Sequence, residues 1–304
     1  MNMENSKPVM VVGATGFLGT EICRQLVAAN KNVKGLIRST SDPVKVKTLR
    51  DMGVQTVIGD IKERITLDLA FADVGAVIST VSSTVSRSEG DSIETVDKQG
   101  QLNVVDAAKD AGATQFIFIS FLESPEKFPL QDAKREVERR IIESSMNYTI
   151  LRPTFFMEIW LSPHLGFDAA NNTATIYGTG EEKISWIAVK DVATFAVASL
   201  DNETAKNSII DLGGPEALSP LEVVHLFEEQ KENSFELHHV PEETLRAQAN
   251  TAQDSLQRSF AALMLTYAGG AKVRMDTTLN LFPINLTTVK EYSRQLVQHE
   301  VAEV

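Results

Sequence analysis

The chain has 304 residues, 43% hydrophobic and 23% charged, enough for two domains or for one domain with an appended lobe. Its 29 Lys and Arg against 41 Asp and Glu give a formal charge of −12, which weighs against non-specific contact with nucleic-acid phosphates. The single cysteine, Cys23, excludes an intrachain disulfide and suits a reducing compartment. The polar stretch Met1–Lys7 lacks a signal peptide's apolar core, and no apolar run approaches the ~20 residues of a membrane span. A cytoplasmic protein without membrane contact is the expectation.

Short apolar runs alternate with helical patterns through the first half. Strands are predicted at Val9–Val12, Val33–Ile37, Thr56–Ile58, Ala76–Ser79, Phe116–Ser120 and Tyr148–Leu151. Helices are predicted near Leu18–Ala29, Pro43–Met52, Glu94–Ala111 and Lys134–Ser145. Several of the strands are apolar on both faces, as strands covered by helices on both sides must be. This alternation predicts an α/β fold with a doubly wound parallel sheet of the Rossmann type. After Pro153 the rhythm breaks, and residues 154–187 show no clean period. A helix over Val189–Leu200 and a strand over Ser208–Leu212 are fit to return to the sheet. Ser219-Pro220-Leu221-Glu222 is a capping box with Pro at the first helical position, and a last helix starts near Leu286. The expected organisation is a dinucleotide-binding domain over 1–153, with 188–213 rejoining its sheet. A smaller α-rich lobe over 154–304 would serve a substrate or a partner.

Val9-Met10-Val11-Val12 runs into Gly13-Ala14-Thr15-Gly16-Phe17-Leu18-Gly19. Glycines at this spacing allow a tight turn, close approach of a diphosphate to the backbone, and close packing of helix on strand. The helix start then offers free N–H groups and a partial positive charge to phosphates. The second predicted strand ends at Arg38, where an NAD site usually carries an acid. An arginine, with the hydroxyls of Ser39 and Thr40, instead offers donors to a 2′-phosphate, the alternative being a solvated surface arginine. NADP(H) is therefore the expected cofactor, ahead of NAD(H). Asp60, followed by Ile61 after the third strand, either accepts from the adenine amino group or caps the next helix. Ser79, Thr80 and Val81 follow the fourth strand, where the cofactor's ribose would pass.

Together these segments resemble the short-chain dehydrogenase/reductase superfamily, and more closely its atypical NmrA-like and isoflavone-reductase-like branches. The resemblance rests on the glycine turn, Arg38, Phe116-Ile117-Phe118-Ile119-Ser120 and Lys134 in its Arg/Glu-rich helix. It continues through Leu151-Arg152-Pro153-Thr154-Phe155-Phe156-Met157-Glu158 and Val189-Lys190-Asp191-Val192-Ala193. The superfamily's usual catalytic pair is a Tyr four residues before a Lys. Here Leu130 stands four residues before Lys134, and none of Tyr148, Tyr177, Tyr267 and Tyr292 has a Lys four residues on. The ordinary carbonyl-reductase mechanism does not carry over. NmrA-like proteins lack this tyrosine as a group; some are NADPH-dependent quinone or azo reductases, others cofactor-sensing regulators. The resemblance implies that Lys134 touches the nicotinamide ribose and assists proton transfer. It also implies that Ser120 lies beside the reacting centre, and that the backbone after Pro153, at Phe155 and Phe156, meets the nicotinamide.

Lys134 shares a helix face with Val137 and Ile141, which directs it inward; a snorkelling or Glu138-paired lysine is the alternative. Phe155, Phe156, Met157, Trp160, Tyr177 and Trp186 supply apolar surface for a flat ligand, or simply core. The five histidines show no metal-binding spacing, and no nucleophile elbow or Walker loop is present. The expectation is an NADPH-dependent reductase acting on a small, flat, hydrophobic acceptor such as a quinone. The rival is a non-catalytic NADP(H) sensor that acts through a protein partner.

Overall fold

The computed structural model describes residues 7–84 and 88–302. In chain order the first half runs β1 (Val9–Val12), α1 (Phe17–Ala28), β2 (Val33–Ile37), α2 (Pro43–Asp51), β3 (Gln55–Ile58), α3 (Arg64–Ala70) and β4 (Ala76–Ser79). A π-helical segment (Ile93–Gly100) then runs directly into α4 (Gln101–Asp110), followed by β5 (Gln115–Ile119), α5 (Pro129–Glu143) and β6 (Asn147–Pro153). The second half holds α6 (Met157–Trp160), β7 (Phe167–Asp168), β8 (Thr173–Tyr177), α7 (Val189–Ala198), β9 (Ser208–Leu212), α8 (Pro220–Lys231) and β10 (Glu236–Val240). It ends with α9 (Glu242–Thr251), α10 (Ser255–Ala268), α11 (Asp276–Leu281) and α12 (Val289–Ala302).

Among the described residues, seven strands form one sheet in the order β3-β2-β1-β4-β5-β6-β9. Val9 pairs in parallel with Val33 on one side and Ala76 on the other. The winding therefore reverses between β1 and β4, the switch point at which open α/β sheets bind ligands beyond their carboxyl ends. Met10, Val12, Val77, Phe116, Phe118 and Ile150 face a cluster with Val104, Val105, Val137 and Ile141 of α4 and α5. The alternate residues Val11, Ile78, Ile117 and Leu151 are equally buried. Strands with two apolar faces need helices on both, and this is the doubly wound Rossmann fold that the sequence predicts.

Contacts divide the chain into two compact units: Met1–Phe121, Leu130–Arg152 and Val192–Ile210 in one, and Leu122–Pro129, Pro153–Asp191 and Asp211–Val304 in the other. The second unit is helical as expected and also holds a small sheet, with β8 between parallel β10 and antiparallel β7. β7 and β10 left no mark in the hydrophobic pattern because β7 is two residues long and β10 is exposed over Glu236–His239, whereas β8, which alternates about buried Ala174 and Ile176, was passed over. The core of this unit gathers Trp186, Ile176, Val223 and Phe227, with Phe167 edge-on to Phe227 at 4.8 Å between ring centres. No helix of the described residues is long and apolar enough to cross a membrane.

Two local expectations change. Helix α3 escaped notice because its exposed Ile65 and Leu69 disguise its amphipathic face. The single helix expected over Glu94–Ala111 is a π-helical segment joined to α4. Its wider winding, a form often found at functional sites, accompanies bonds from Asp97 and Gln101 to the loop after β4.

The capping box at α8 forms as its sequence demands: the Glu222 N–H donates to Ser219 Oγ at 3.2 Å, and the Ser219 N–H donates to the Glu222 carboxylate at 2.7 Å. Ser219→Ala removes one acceptor from the helix start and should cost about 1 kcal/mol, read as a lower urea midpoint with an unchanged slope.

Candidate functional site

The turn after β1 explains its glycines one at a time. Gly13 has φ +90°, and a Cβ there would lie 2.6 Å from Thr80 Oγ1. A Cβ on Gly19 would lie 2.0 Å from the Gly13 carbonyl oxygen, so only glycine lets α1 pack this closely on β1. Gly16 is different: it is exposed, and a Cβ there would meet only the Gly13 oxygen, at 3.1 Å. Gly16 also caps α1 without any side-chain acceptor. Among the described residues, nothing accepts from the N–H groups of Phe17, Leu18 or Gly19. Thr15 and Leu18 are half-buried, and the Phe17 ring is 64% exposed. A helix start with unmet donors and a bare glycine edge can receive an anion.

At the end of β2, the Arg38 guanidinium donates to Asp91 Oδ2 at 2.7 Å, and Lys62 Nζ donates to Asp91 Oδ1 at 2.6 Å. Ser39 and Thr40 are exposed beside them. Burial pushes the Asp91 carboxyl up, but hydrogen bonds from Lys62, the Ser88 N–H and Arg38 outweigh it and bring it down to about 2. Asp60 shapes its own turn, its Oδ1 accepting from the Lys62 N–H at 2.9 Å. Ile61 is buried against Gly100, where a Cβ would come within 2.8 Å of it. Lys62 and Asp91 were missed in the sequence; a lysine two residues past Gly59-Asp60 was the available signal for the first.

The loop after β4 is held from beneath. Ser79 Oγ donates to Gln101 Oε1 at 2.7 Å, and Gln101 Nε2 donates to the Val81 carbonyl at 2.9 Å. The Thr80 N–H donates to the Val12 carbonyl, and Asp97 Oδ2 accepts from both the N–H and the hydroxyl of Ser83. Asp97 and Gln101 were also missed, because a continuous helix would not single them out. Lys134 is 4% exposed. Its Nζ reaches the carbonyls of Val81 and Ile119 only at 3.4 and 3.5 Å and sits 5.0 Å from the Phe118 ring centre. Burial lowers its pKa, while the charges of Asp97 and Glu138 push it back up. The expected alternative of a Glu138-paired lysine does not hold. Arg152 takes both Glu138 oxygens, at 3.1 and 2.5 Å, and Arg135 takes one of them. Ser120 Oγ donates to Glu138 Oε1 at 2.6 Å, so its hydroxyl is already engaged.

In the second unit, the Pro153 carbonyl accepts from the Leu122 N–H. Phe155 meets Trp160 edge-on at 4.5 Å, and Trp160 stacks on Tyr267 at 5.1 Å with 15° between planes. Tyr177 and Trp186 each meet Tyr267 edge-on at 5.7 Å. Phe156 bridges to Ile187 and stays half-buried. Of the aromatic residues singled out in the sequence, Phe155, Trp160, Tyr177 and Trp186 thus gather on a ring that was not, Tyr267. Phe155, Met157 and Trp186 are core, while Phe156, Trp160 and Tyr177 keep part of their surface in solvent. Among the described residues, no group of His, Cys, Asp and Glu could hold a metal ion.

Glu138 yields a stability test. Burial raises its carboxyl, but hydrogen bonds from Arg152 and Ser120 and the charge of Arg135 outweigh it, leaving the pKa below the ordinary 4.5. A depressed carboxylate stabilises the fold above its unfolded-state pKa and loses that contribution as pH falls. Glu138→Gln removes the buried charge that Arg135 and Arg152 share and should cost up to about 3–5 kcal/mol at neutral pH. The gap between parent and variant in urea denaturation should narrow as pH drops below about 4.5.

Comparison with known proteins follows the same lines. A family model described as the NmrA-like family matches residues 5–293. The photosystem II assembly factor Ycf39 of Synechocystis is 32% identical, over 78% of this chain and 72% of that protein. The NAD(P)H azoreductase of Xenophilus azovorans is also 32% identical, over 71% of each chain. The crystal structure of an NADPH-dependent quinone oxidoreductase from Escherichia coli complexed with NADPH superposes with a TM-score of 0.77, at 22% identity, over 95% of this chain and 99% of that one. That likeness speaks for the fold. With its glycine turn, its sheet and a match across nearly its whole length, the chain belongs to the NmrA-like family.

Proposed function

We propose that the protein binds NADP(H) and acts as a reductase toward a flat, hydrophobic acceptor such as a quinone. The observation that carries this reading is the uncapped start of α1, with free N–H groups at Phe17, Leu18 and Gly19 beside the bare edge of Gly16. These groups would hold the diphosphate, with Gly13 and Thr15 forming the turn around it. Arg38 and Lys62, two cations against one carboxylate, would favour the 2′-phosphate. Similarity to an azoreductase described as NAD(P)H-dependent and to a quinone oxidoreductase supports the same class.

When bound, NADPH supplies the hydride; the chain's part is to position it and to manage charge. Thr80 and Val81 would line the ribose. Lys134 holds its buried Nζ near the Val81 and Ile119 carbonyls, and with no tyrosine to tune it would meet the ribose itself. Proton balance would then fall to Lys134 or to water. Partly exposed Phe156, Trp160 and Tyr177 offer apolar ring faces to a flat acceptor.

A second reading has its own support. The missing tyrosine, and similarity to a protein described as an assembly factor, favour a cofactor-responsive protein that acts through a protein partner.

Calorimetry and single-turnover kinetics separate the two. NADPH should bind at least about tenfold more tightly than NADH, the worth of one charge-assisted contact; equal affinities remove the case for NADP(H). Gly16→Val should keep the fold and abolish NADPH binding, and a variant that binds as the parent does would misplace the diphosphate. Lys134→Met should slow single-turnover NADPH oxidation by a quinone without stopping it. Tight NADPH binding with no turnover of any quinone, azo dye or small carbonyl transfers the assignment to the second reading.

A further inference from the structure

Arg38, Lys62 and Asp91 meet in one partly buried ion cluster. The two carboxylate oxygens of Asp91 are divided between the cations, one to Arg38 at 2.7 Å and one to Lys62 at 2.6 Å. The Ser88 N–H adds a third donor to Oδ2 at 2.8 Å. The carboxylate is only 3% exposed, yet Ser88, Glu89 and Gly90 of the turn that carries it are exposed. That turn closes on itself through Asp91 N–H to the Ser88 carbonyl, and Thr95 Oγ1 ties Gly90 to the start of the π-helical segment. An acidic side chain is thus held against a pair of cations by a turn whose Ser88, Glu89 and Gly90 are exposed.

We infer that Asp91 is a specificity-determining residue, an internal anion that holds Arg38 and Lys62 in place of the cofactor's 2′-phosphate and so limits the preference for NADP(H) over NAD(H). This rests on the reading that Arg38 and Lys62 face the 2′ position. Three donors converging on one anion are the set a phosphate would use. A phosphate and a carboxylate brought to the same two cations repel each other, so binding the first weakens or displaces the second. With its carboxyl held down to about 2, Asp91 does not escape by taking a proton at neutral pH. The 2′-hydroxyl of NAD(H) brings no charge, and a carboxylate beside it can accept from it, the task an acid performs in NAD sites. One residue therefore taxes one cofactor and tolerates the other.

The test is calorimetry of NADPH, NADH and adenosine 2′-monophosphate at fixed ionic strength, with parent, Asp91→Asn, Asp91→Glu, Arg38→Ala and Lys62→Ala, each checked by thermal melting. Asp91→Asn should bind NADPH and adenosine 2′-monophosphate at least about tenfold more tightly, with NADH unchanged or weaker. Asp91→Glu keeps the charge and should keep the parent's NADPH to NADH ratio. Unchanged or weaker NADPH binding by a folded Asp91→Asn overturns the inference, since Asp91 would then only brace Arg38. A ratio that shifts equally in Asp91→Glu overturns it too, since the effect would follow shape and not charge. If Arg38→Ala and Lys62→Ala leave NADPH affinity intact, the 2′-phosphate reading falls and the inference with it. If they weaken NADPH while Asp91→Asn fails to strengthen it, the inference alone falls.

Discussion

The close approach of α1 to β1 sets the geometry on which the first unit depends. The Gly13 carbonyl lies where a side chain at Gly19 would begin, 2.0 Å from an added Cβ. Any other residue at Gly19 would push the helix off the strand and turn its first N–H groups away from the sheet's carboxyl edge. With glycine there, the helix begins at once after the strand, and no capping side chain intrudes. The same close fit involves the loop after β4, since Thr80 Oγ1 lies 2.6 Å from where a Gly13 Cβ would stand. Strand order then does the rest, because β1 lies between β2 and β4 and the loops of all three open on the same edge.

Charge is distributed against the overall trend of an acidic protein. The net charge is −12, yet Arg38 and Lys62 outnumber the single carboxylate between them. Within α5 the partition is sharper. Glu138 is surrounded by Arg135, Arg152 and Ser120, while Lys134, four residues earlier, has two long contacts to carbonyls and no ion pair among the described residues. A buried carboxylate with several donors is a settled structural element, whereas a buried ammonium with poor partners is held at a cost of desolvation. This physical contrast is why the proposed function draws on Lys134 and not on Glu138.

Legibility in the sequence followed the strength of each periodic signal. Strands β1, β2, β4 and β9 were read to the residue, because each is a short apolar run between polar turns. The capping box at Ser219 was read because its four residues act only on one another. The helical stretch over Glu94–Ala111 shows the limit: its extent was legible but its winding was not, because a π-helical stretch has the same composition as an α-helix, and here it accompanies bonds from Asp97 and Gln101 to a loop after β4. Short β7 and exposed β10 were invisible because neither alternates. Tyr267 was passed over because nothing local in α10 marks it as the ring on which Trp160, Tyr177 and Trp186 meet.

The sequence by itself determined the class of fold and the place of the glycine turn. Both are properties of neighbouring residues: apolar runs that must be covered on two faces, and glycines spaced so that one strand can turn directly into one helix. It also raised the question of Lys134, since a missing tyrosine is a fact of spacing. Only the tertiary structure decided how charges are shared. Arg38 and Asp91 are 53 positions apart, Lys62 and Asp91 are 29 apart, and Glu138 and Arg152 are 14 apart. Which cation meets which carboxylate depends on where separate strands and turns come to lie, and electrostatic energy falls so steeply with distance and exposure that no one-dimensional pattern can rank the possible pairs.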